Sequence, residues 1–302
     1  MPHALKLPAV WVPANTPFDA QGAPDAAAFL AHCKVLLDEG ADGLAVFGTT
    51  SEANSLGLDE RMALLEALVA GGIDPKRLMP GTGCCAIPDT VRLTRQAVKL
   101  GCAGVLMLPP FYYKGVSDDG VVDAFSRVID EVAEEALKVF AYHIPPVAQV
   151  PVSLAALERL VAAYPKQVVG LKDSSGDWEN TRAVIDAMPH LATFSGSEVF
   201  LLQNIRAGGA GCISATANVN VAGMRRVIDN EDGPQAEALQ AEITTVRKAF
   251  EAVPMIPGLK AFLARKYGNP DWARPRPPLR PLDDALADGL VAVLGAIGFP
   301  VP

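Results

Sequence analysis

The sequence has few cysteines and few histidines, and neither type is spaced like a metal site. Its five cysteines lie at positions 33, 84, 85, 102 and 212 with no C-x-x-C spacing, and its four histidines are scattered. We therefore expect neither a metal-ligand cluster nor a disulfide framework. The adjacent Cys84 and Cys85 are expected to be small, buried, reduced thiols.

The chain also lacks a basic surface and a long uninterrupted apolar run. Its 26 Lys and Arg residues against 34 Asp and Glu residues give a formal net charge of −8, which offers no positive face to a nucleic acid or an anionic membrane. Prolines at positions 2, 8, 13 and 17 interrupt the first 18 residues, where a signal peptide or a spanning helix would need an apolar core. We expect a cytoplasmic protein.

Short apolar runs alternate with longer amphipathic segments along most of the chain. Eight runs are candidate strands: AVWVPANT, GLAVFGTT, RLMPGTG, GVLMLPP, KVFAYHIP, QVVGLKDSS, LATFSGS and GCISATA. Strict alternation of strand and helix predicts an all-parallel sheet. Because the runs are apolar throughout, we expect helices on one face and packed side chains on the other, as in a closed barrel. Residues 1–232 are therefore predicted to form a (β/α)8 TIM barrel.

The segments between the candidate strands have helical periodicity. They predict helices over 25–39, 58–70, 89–100, 118–133, 153–163, 178–187, 198–206 and 221–229. From about Gly233 the alternation stops and the pattern stays helical, except for a proline-rich stretch at 270–281. We expect residues 233–302 to form a small C-terminal helical appendage to a single barrel.

Lys172 is the most informative of the candidate catalytic residues, because active sites of such barrels lie at the C-terminal ends of the strands. It closes an apolar run and is expected to face the barrel interior, where an ammonium ion is poorly solvated. A neutral amine attacks ketones, and the iminium that forms withdraws electrons from the adjacent carbon. The alternative is a lysine that reaches water or pairs with Asp173 or Glu198.

Two further groups are expected beside Lys172. Tyr142 lies one βα unit earlier, at the corresponding end of the neighbouring strand, where a phenol can transfer protons. The alternative for Tyr142 is an aromatic core residue. Gly48-Thr49-Thr50 offers a tight turn with backbone N–H groups and hydroxyls that suit a carboxylate, and its alternative is a helix N-cap.

Five motifs carry a resemblance to a known family. GTTSEANSL, PPFYYKG, YHIP, GLKDSSGD and GAGCISATANV, in this order and spacing, resemble the dihydrodipicolinate synthase and N-acetylneuraminate lyase family from about residue 8 to about residue 225. The resemblance implies a homotetramer of barrels that makes or cleaves pyruvate-type compounds without a metal or an organic cofactor. It implies that Lys172 carries the Schiff base and that Tyr142 is the acid and base.

The resemblance also implies the remaining site residues. Thr49 and Thr50 would bind the substrate carboxylate, and Tyr112 would reach a neighbouring subunit's site, with Tyr113 as the alternative because the loop holds an extra residue. The residues expected to contact the rest of a 2-oxo acid substrate are Ser174, Gly196, Ser197, Glu198 and Ile213.

Departures from the motifs narrow the expected function. Dihydrodipicolinate synthases have an arginine where this chain has Val147, so lysine biosynthesis is not expected. Sialic-acid lyases are longer around Gly196 and have a serine where this chain has Ala215, so neuraminate cleavage is not expected either. What remains is an aldolase, or alternatively a dehydratase, of pyruvate or a 2-oxo-3-deoxy acid. A non-catalytic barrel that binds a 2-oxo acid would require a disabled Lys172 or Tyr142, and both are present.

Overall fold

The structure is a computed structural model that describes residues 8–302. Its centre is a sheet of seven strands, namely β1 (Ala9–Val12), β2 (Gly43–Leu44), β3 (Val105–Met107), β4 (Val139–His143), β5 (Val168–Asp173), β6 (Ala192–Ser195) and β7 (Gly211–Ile213). The strand order is β2-β1-β7-β6-β5-β4-β3, and every pairing is parallel. The predicted parallel sheet is confirmed.

Twelve α-helices accompany the strands of residues 8–302. They are α1 (Ala26–Asp38), α2 (Leu58–Ala70), α3 (Ile87–Leu100), α4 (Asp118–Val132), α5 (Pro145–Ala148), α6 (Leu154–Ala163), α7 (Trp178–Ala187), α8 (Leu201–Arg206), α9 (Ala217–Asp229), α10 (Ala236–Glu251), α11 (Met255–Tyr267) and α12 (Asp284–Ala296). All eight predicted helices are present. The segment 198–206 divides into a 3₁₀ turn, Glu198–Phe200, and α8.

Side-chain caps explain why many of these helices begin where they do. The side chains of Asp25, Ser117, Ser153, Asp177 and Asp283 each accept a hydrogen bond from a backbone N–H in the first turn of the helix that follows. Such bonds satisfy donors that have no partner inside the helix. The predicted starts of α1, α4, α6 and α7 therefore agree with the observed ones to within one residue.

The third predicted strand, RLMPGTG, is not a regular strand. Residues 78–82 instead form single parallel bridges to β2, through Leu78 and Leu44, and to β3, through Gly81 and Leu106. Gly81 N donates to Val46 O at 2.7 Å, and Leu106 N donates to Pro80 O at 2.9 Å. Pro80 has no N–H to donate, which interrupts the ladder at its centre. The prediction of eight regular strands was wrong by this one element.

Buried side chains form two layers on the sheet. In β1, Val10 and Val12 belong to the large cluster under the helices, whereas Ala9 and Trp11 belong to a smaller cluster on the opposite face. This division follows from the alternation of side chains along a strand. The smaller cluster also contains Tyr142. The candidate site therefore lies on this face of the sheet, at the carboxyl-terminal ends of the strands.

The C-terminal residues are helical, as predicted, but they do not all pack apart from the rest. Leu239 and Ile243 of α10 belong to the large cluster under the helices. Phe250, Leu259 and Phe262 form a separate cluster with α12. None of the helices within residues 8–302 combines the length and apolar character needed to cross a membrane.

The cysteines are all free thiols, but burial was predicted incorrectly for the adjacent pair. Cys33 and Cys212 are buried, Cys84 is partly exposed, and Cys85 is exposed. Both residues of the pair follow the irregular segment 78–82 and lie in a loop before α3, where no helix covers them completely. Burial raises the pKa of the Cys84 thiol, although the neighbouring Arg61 guanidinium opposes the shift.

Candidate active site

Lys172 and Tyr142 lie side by side at the carboxyl ends of neighbouring strands. The register pairs Tyr142 of β4 with Lys172 of β5, and it pairs Lys172 with Phe194 of β6. Paired residues of parallel strands point to the same face, so the lysine joins the interior cluster between two aromatic side chains. Its Nζ atom lies 4.2 Å from the centre of the Tyr142 ring. Lys172 is 4% exposed and Tyr142 is 3% exposed.

Thr49 completes this group from the other side of the interior. Its Oγ1 atom lies 3.3 Å from the Tyr142 hydroxyl, within hydrogen-bond reach. The structure therefore brings together three residues that the sequence predicted, namely Lys172, Tyr142 and Thr49. An amine, a phenol and an alcohol in contact can attack a carbonyl and transfer the protons that the attack releases.

Residues 48–52, which we call the threonine loop, have an unusual backbone. Phe47, just before the loop, and Glu52, its last residue, both adopt left-handed conformations, with φ of 59° and 57°. Such values are uncommon for residues other than glycine and cost free energy unless the surroundings hold them. The loop is held by the segment that follows β1: Ser51 Oγ donates to Ala14 O at 2.6 Å, and Asn15 Nδ2 donates to Thr50 O at 3.1 Å.

The two carboxylates proposed as alternative partners of Lys172 are engaged elsewhere. Asp173 accepts hydrogen bonds from Ser175 N at 2.8 Å, Asn180 Nδ2 at 2.7 Å and Thr181 Oγ1 at 2.8 Å. This network fixes the turn that follows β5. Asp173 is therefore a structural residue next to the lysine, and the alternative of an Asp173–Lys172 pair is not supported.

Glu198 has a structural environment that the sequence did not predict. Its carboxylate accepts hydrogen bonds from the hydroxyls of Ser214 and Thr216 and lies 3.6 Å from Arg247. The side chain has no exposed surface, and burial raises its pKa. These partners tie the end of β6 to the end of β7 and to α10. They give Glu198 a structural role, and its predicted contact with substrate stays a prediction.

The other predicted substrate contacts lie around the ends of β5, β6 and β7. Ser174 N donates to His143 O at 2.7 Å, and a Cβ atom on Gly196 would overlap the Ser174 hydroxyl. Glycine at position 196 therefore leaves room for that hydroxyl. Ser197 Oγ accepts from Val199 N at 3.3 Å and caps a short turn. Ile213 is buried in the interior cluster with Tyr142.

Tyr112 and Tyr113 lie away from this group, on the loop that follows β3. They are 72% and 74% exposed, and their rings make an edge contact at 5.4 Å between centroids. Large aromatic side chains are seldom left this exposed in pairs. The predicted role of Tyr112, or of Tyr113 as its alternative, in a neighbouring subunit's site stays a prediction.

The place of the missing arginine is also on the surface. Val147 is 59% exposed in the short helix α5. The next arginine in the chain, Arg159 of α6, pairs with Asp119 at 2.8 Å and is half exposed. It does not replace the missing side chain. His143, which follows Tyr142 in β4, has a structural role, since its Nδ1 accepts a hydrogen bond from Val152 N at 3.0 Å.

Comparison with known proteins identifies the family of this chain. The family model described as the dihydrodipicolinate synthetase family matches residues 6–297. The chain belongs to this family. A DapA-like lyase of Chloroflexus aurantiacus is 35% identical over 271 residues, which are 89% of this chain and 90% of that protein. Together with such relatives, membership of the dihydrodipicolinate synthetase family makes the chain a lyase.

Two further family members have a named activity or a solved structure. A 4-hydroxy-tetrahydrodipicolinate synthase of Synechococcus sp. (strain CC9605) is 32% identical over 287 residues, which are 93% of this chain and 92% of that protein. The crystal structure of dihydrodipicolinate synthase from Agrobacterium tumefaciens superposes with a TM-score of 0.89 at 32% identity, covering 96% of this chain and 99% of that one. The whole described fold is thus that of the dihydrodipicolinate synthetase family.

Proposed function

We propose that this chain is a class I lyase whose Lys172 forms a Schiff base with a 2-oxo acid. One observation carries the proposal: the buried Lys172 amine lies 4.2 Å from the centre of the Tyr142 ring, and the Tyr142 hydroxyl lies 3.3 Å from Thr49 Oγ1. A nucleophile and a proton-transfer group are therefore adjacent in surroundings that exclude water.

The reaction follows from these groups. The Lys172 amine attacks the C2 carbonyl, and the carbinolamine loses its hydroxyl as water to give an iminium ion. Tyr142 donates a proton to the alkoxide that forms, takes up the proton that the nitrogen releases, and donates it to the departing hydroxyl. The iminium then accepts the electron pair of a broken C3–H bond, whose proton passes to the Tyr142 phenolate, or of a broken C3–C4 bond, whose C4 carbon leaves as an aldehyde while the proton of its hydroxyl passes to the Tyr142 phenolate. Either route gives an enamine. Protonation or aldol addition at C3, followed by hydrolysis of the imine, restores the free amine.

The threonine loop supports recognition of the C1 carboxylate. Thr49 is within reach of Tyr142, and Thr50 is next to it in a turn whose backbone is fixed. Hydroxyl and backbone N–H donors bind a carboxylate without a cation, which keeps the Lys172 amine free to react. Ser174, in the space that Gly196 leaves, is the hydroxyl that we assign to the distal part of the substrate.

The substrate that we propose is pyruvate or a 2-oxo-3-deoxy acid, with aldol cleavage or addition at C3–C4. Several relatives are 4-hydroxy-tetrahydrodipicolinate synthases, but Val147 is an exposed aliphatic side chain and offers no charge to a second carboxylate. We therefore expect the gene to fail to complement a lysine auxotroph that lacks this synthase. Robust growth without lysine would show that another residue holds that carboxylate.

Borohydride reduction in the presence of pyruvate tests the Schiff base directly. We expect a stable pyruvyl adduct in the intact-protein mass, located on Lys172 by peptide mapping. Lys172→Ala is expected to give no adduct and no turnover. Lys138→Ala is the matched control, because Lys138 precedes β4 at the opposite end of the sheet, where its Nζ bonds Lys166 O. An adduct that persists in Lys172→Ala would refute the assignment.

We also propose the finer architecture and assembly. Residues 78–82 bond both edge strands of the sheet, which supports a closed barrel in which this irregular segment stands in the place of an eighth strand and residues 233–302 form a helical extension. The exposed Tyr112 and Tyr113 support a homotetramer in which one of them enters a neighbouring subunit's site.

A further inference from the structure

Glu52, the last residue of the threonine loop, forms a fully buried ion pair with a residue of the C-terminal helices. Its Oε1 atom lies 2.7 Å from Lys260 Nζ of α11, and neither side chain has any exposed surface. Removing two charges from water is costly, and their attraction repays the cost only when the geometry is favourable. A buried pair at this place therefore calls for an explanation other than stability.

The surroundings of Lys260 hold the pair in one arrangement. Its Nζ donates to Arg274 O at 2.8 Å and lies 4.3 Å from the centre of the Phe18 ring. Glu52 Oε2 accepts from Arg276 N at 2.8 Å. Both partners thus contact the segment after α11 as well as each other. Burial lowers the pKa of Lys260 to about 8, while Glu52 opposes the shift.

Arg276 also links the segment after α11 to residues near the threonine loop, on the side closer to the surface. Its guanidinium makes two bonds to the Glu60 carboxylate, at 2.5 and 2.6 Å, and one to Ser55 O at 2.8 Å. Glu60 and Ser55 lie just after the threonine loop in the chain. The segment after α11 therefore holds the loop's exit as well as its last residue.

A second buried connection joins α11 to the same loop by a different route. Tyr267 Oη lies 2.7 Å from His32 Nδ1, and His32 Nε2 lies 3.0 Å from Asn218 Oδ1. That oxygen also accepts from Asn15 N at 2.9 Å, and Asn15 Nδ2 donates to Thr50 O at 3.1 Å. Helix α11 thus reaches both Thr50 and Glu52 through polar groups, all of them buried except the partly exposed Tyr267.

We propose that Glu52 and Lys260 are positioning residues that hold the threonine loop in its carboxylate-binding shape. The left-handed backbone at Phe47 and Glu52 is the strained state, and the ion pair is a contact that keeps the end of the loop in it. The C-terminal helices therefore set the affinity of a site to which they contribute no contact with substrate. This inference rests on the proposed function for the identity of the ligand, a 2-oxo acid.

Two substitutions and one control test the proposal. Lys260→Met removes the charge and keeps most of the volume, and Glu52→Gln/Lys260→Met also removes the charge left without a partner. Lys266→Met is the matched control, because Lys266 lies on the same helix and forms an ion pair with Glu39 at 2.8 Å, away from the loop. If Lys260→Met alone does not fold, the double variant carries the same comparison.

Two readouts separate the positioning role from the chemistry. The first is hydrogen exchange of the backbone amides of residues 47–53, which we expect to accelerate in the Lys260 variants and to stay unchanged in Lys266→Met. The second is borohydride trapping of Lys172 by pyruvate and by acetone, which lacks a carboxylate. We expect the half-saturating pyruvate concentration to rise about tenfold, as for a lost bond to a charged group, while trapping by acetone is unchanged.

The outcomes separate this inference from the proposed function. Folded Lys260 variants with wild-type exchange in residues 47–53 and wild-type half-saturation by pyruvate would overturn the positioning role. An equal loss of trapping by pyruvate and acetone would also overturn it, because the defect would then lie at Lys172. Faster hydrogen exchange of the loop in the variants, with no trapping in the wild-type protein, would refute the Schiff-base function and support the positioning role of Glu52 and Lys260.

Discussion

The amine of Lys172 lies between an aromatic ring on each neighbouring strand, Tyr142 on β4 and Phe194 on β6. Of these two rings, only Tyr142 carries a hydroxyl, and that hydroxyl faces Thr49. A proton that leaves the amine therefore has one obvious acceptor among its strand neighbours. The contribution of the Tyr142 hydroxyl can therefore be measured separately from that of the Tyr142 ring.

We expect Tyr142→Phe to slow turnover about 10²-fold or more, the range for a lost acid or base group. The ring that packs over Lys172 remains, so the fold and the position of the amine are preserved. Tyr164→Phe is the matched control, because the Tyr164 hydroxyl bonds Asp130 on the surface at 3.0 Å. Steady-state kinetics measure the turnover of both variants. Equal turnover rates would show that the Tyr142 hydroxyl is not the acid or base.

His32 makes the protein's stability depend on pH. Burial lowers the pKa of His32 from 6.5 to about 4, which the bond to Asn218 only partly offsets. Below pH 6.5 the unfolded chain binds a proton that the native state refuses, so stability falls as the pH falls towards 4. We expect this residue to account for up to about 3 kcal/mol of that loss.

Urea unfolding at pH 7 and pH 4.5 measures this contribution. His32→Gln keeps a polar side chain without the titration, so its stability is expected to change less between the two pH values. His190→Gln, at an exposed position, is expected to keep the full wild-type dependence. Parallel behaviour of the two variants would mean that other groups cause the acid sensitivity.

At the level of single residues, the sequence predicted those site residues that end an apolar run. Lys172, Tyr142 and Thr49 were predicted in this way, and the structure places them close together because the strand ends of a parallel sheet converge. Lys260 was not, since it lies in the middle of a C-terminal helix and pairs with a residue some 200 positions earlier. The structural partners of Glu198, among them Ser214 and Arg247, were not predicted either, because they come from other elements.

Among the elements, helices were predicted better than strands. The start of a helix is marked in the sequence by a local N-cap residue such as Ser117 or Asp177. A strand instead depends on partners that are distant in sequence. Residues 78–82 had the apolar composition of a strand, yet Pro80 prevents a continuous ladder. Helix α10 also lies beyond the predicted barrel boundary but packs into the main core.

We expect α10 to be part of the same cooperative unit as the sheet. Ile243→Ala removes a buried side chain from the main core and is expected to lower the free energy of unfolding by about 2–5 kcal/mol. Thr245→Ala, at an exposed position on the same helix, is expected to change it by less than about 0.5 kcal/mol. Denaturant unfolding checks both values, and two separate transitions would instead indicate an independent C-terminal unit.

The whole molecule presents two adjacent exposed tyrosines on one loop. For the proposed homotetramer, we expect Tyr112→Ala/Tyr113→Ala to reduce the molar mass measured by light scattering after gel filtration, because large aromatic anchors dominate interface energies. Leu286→Ala, which removes an exposed aliphatic side chain from α12, is the control and is expected to leave the mass unchanged. A wild-type protein that elutes as a monomer would contradict the proposed assembly.

The order of the strands has a consequence for synthesis of the chain on the ribosome. β1 pairs with β2 on one side and with β7 on the other, although about 200 residues separate β1 from β7. One edge of the first strand therefore stays without its partner until most of the polypeptide has been translated. An unpaired edge can add strands from other nascent chains. The free edge of β1 therefore has to be covered, by the nascent chain itself or by a chaperone, during most of the time needed for translation.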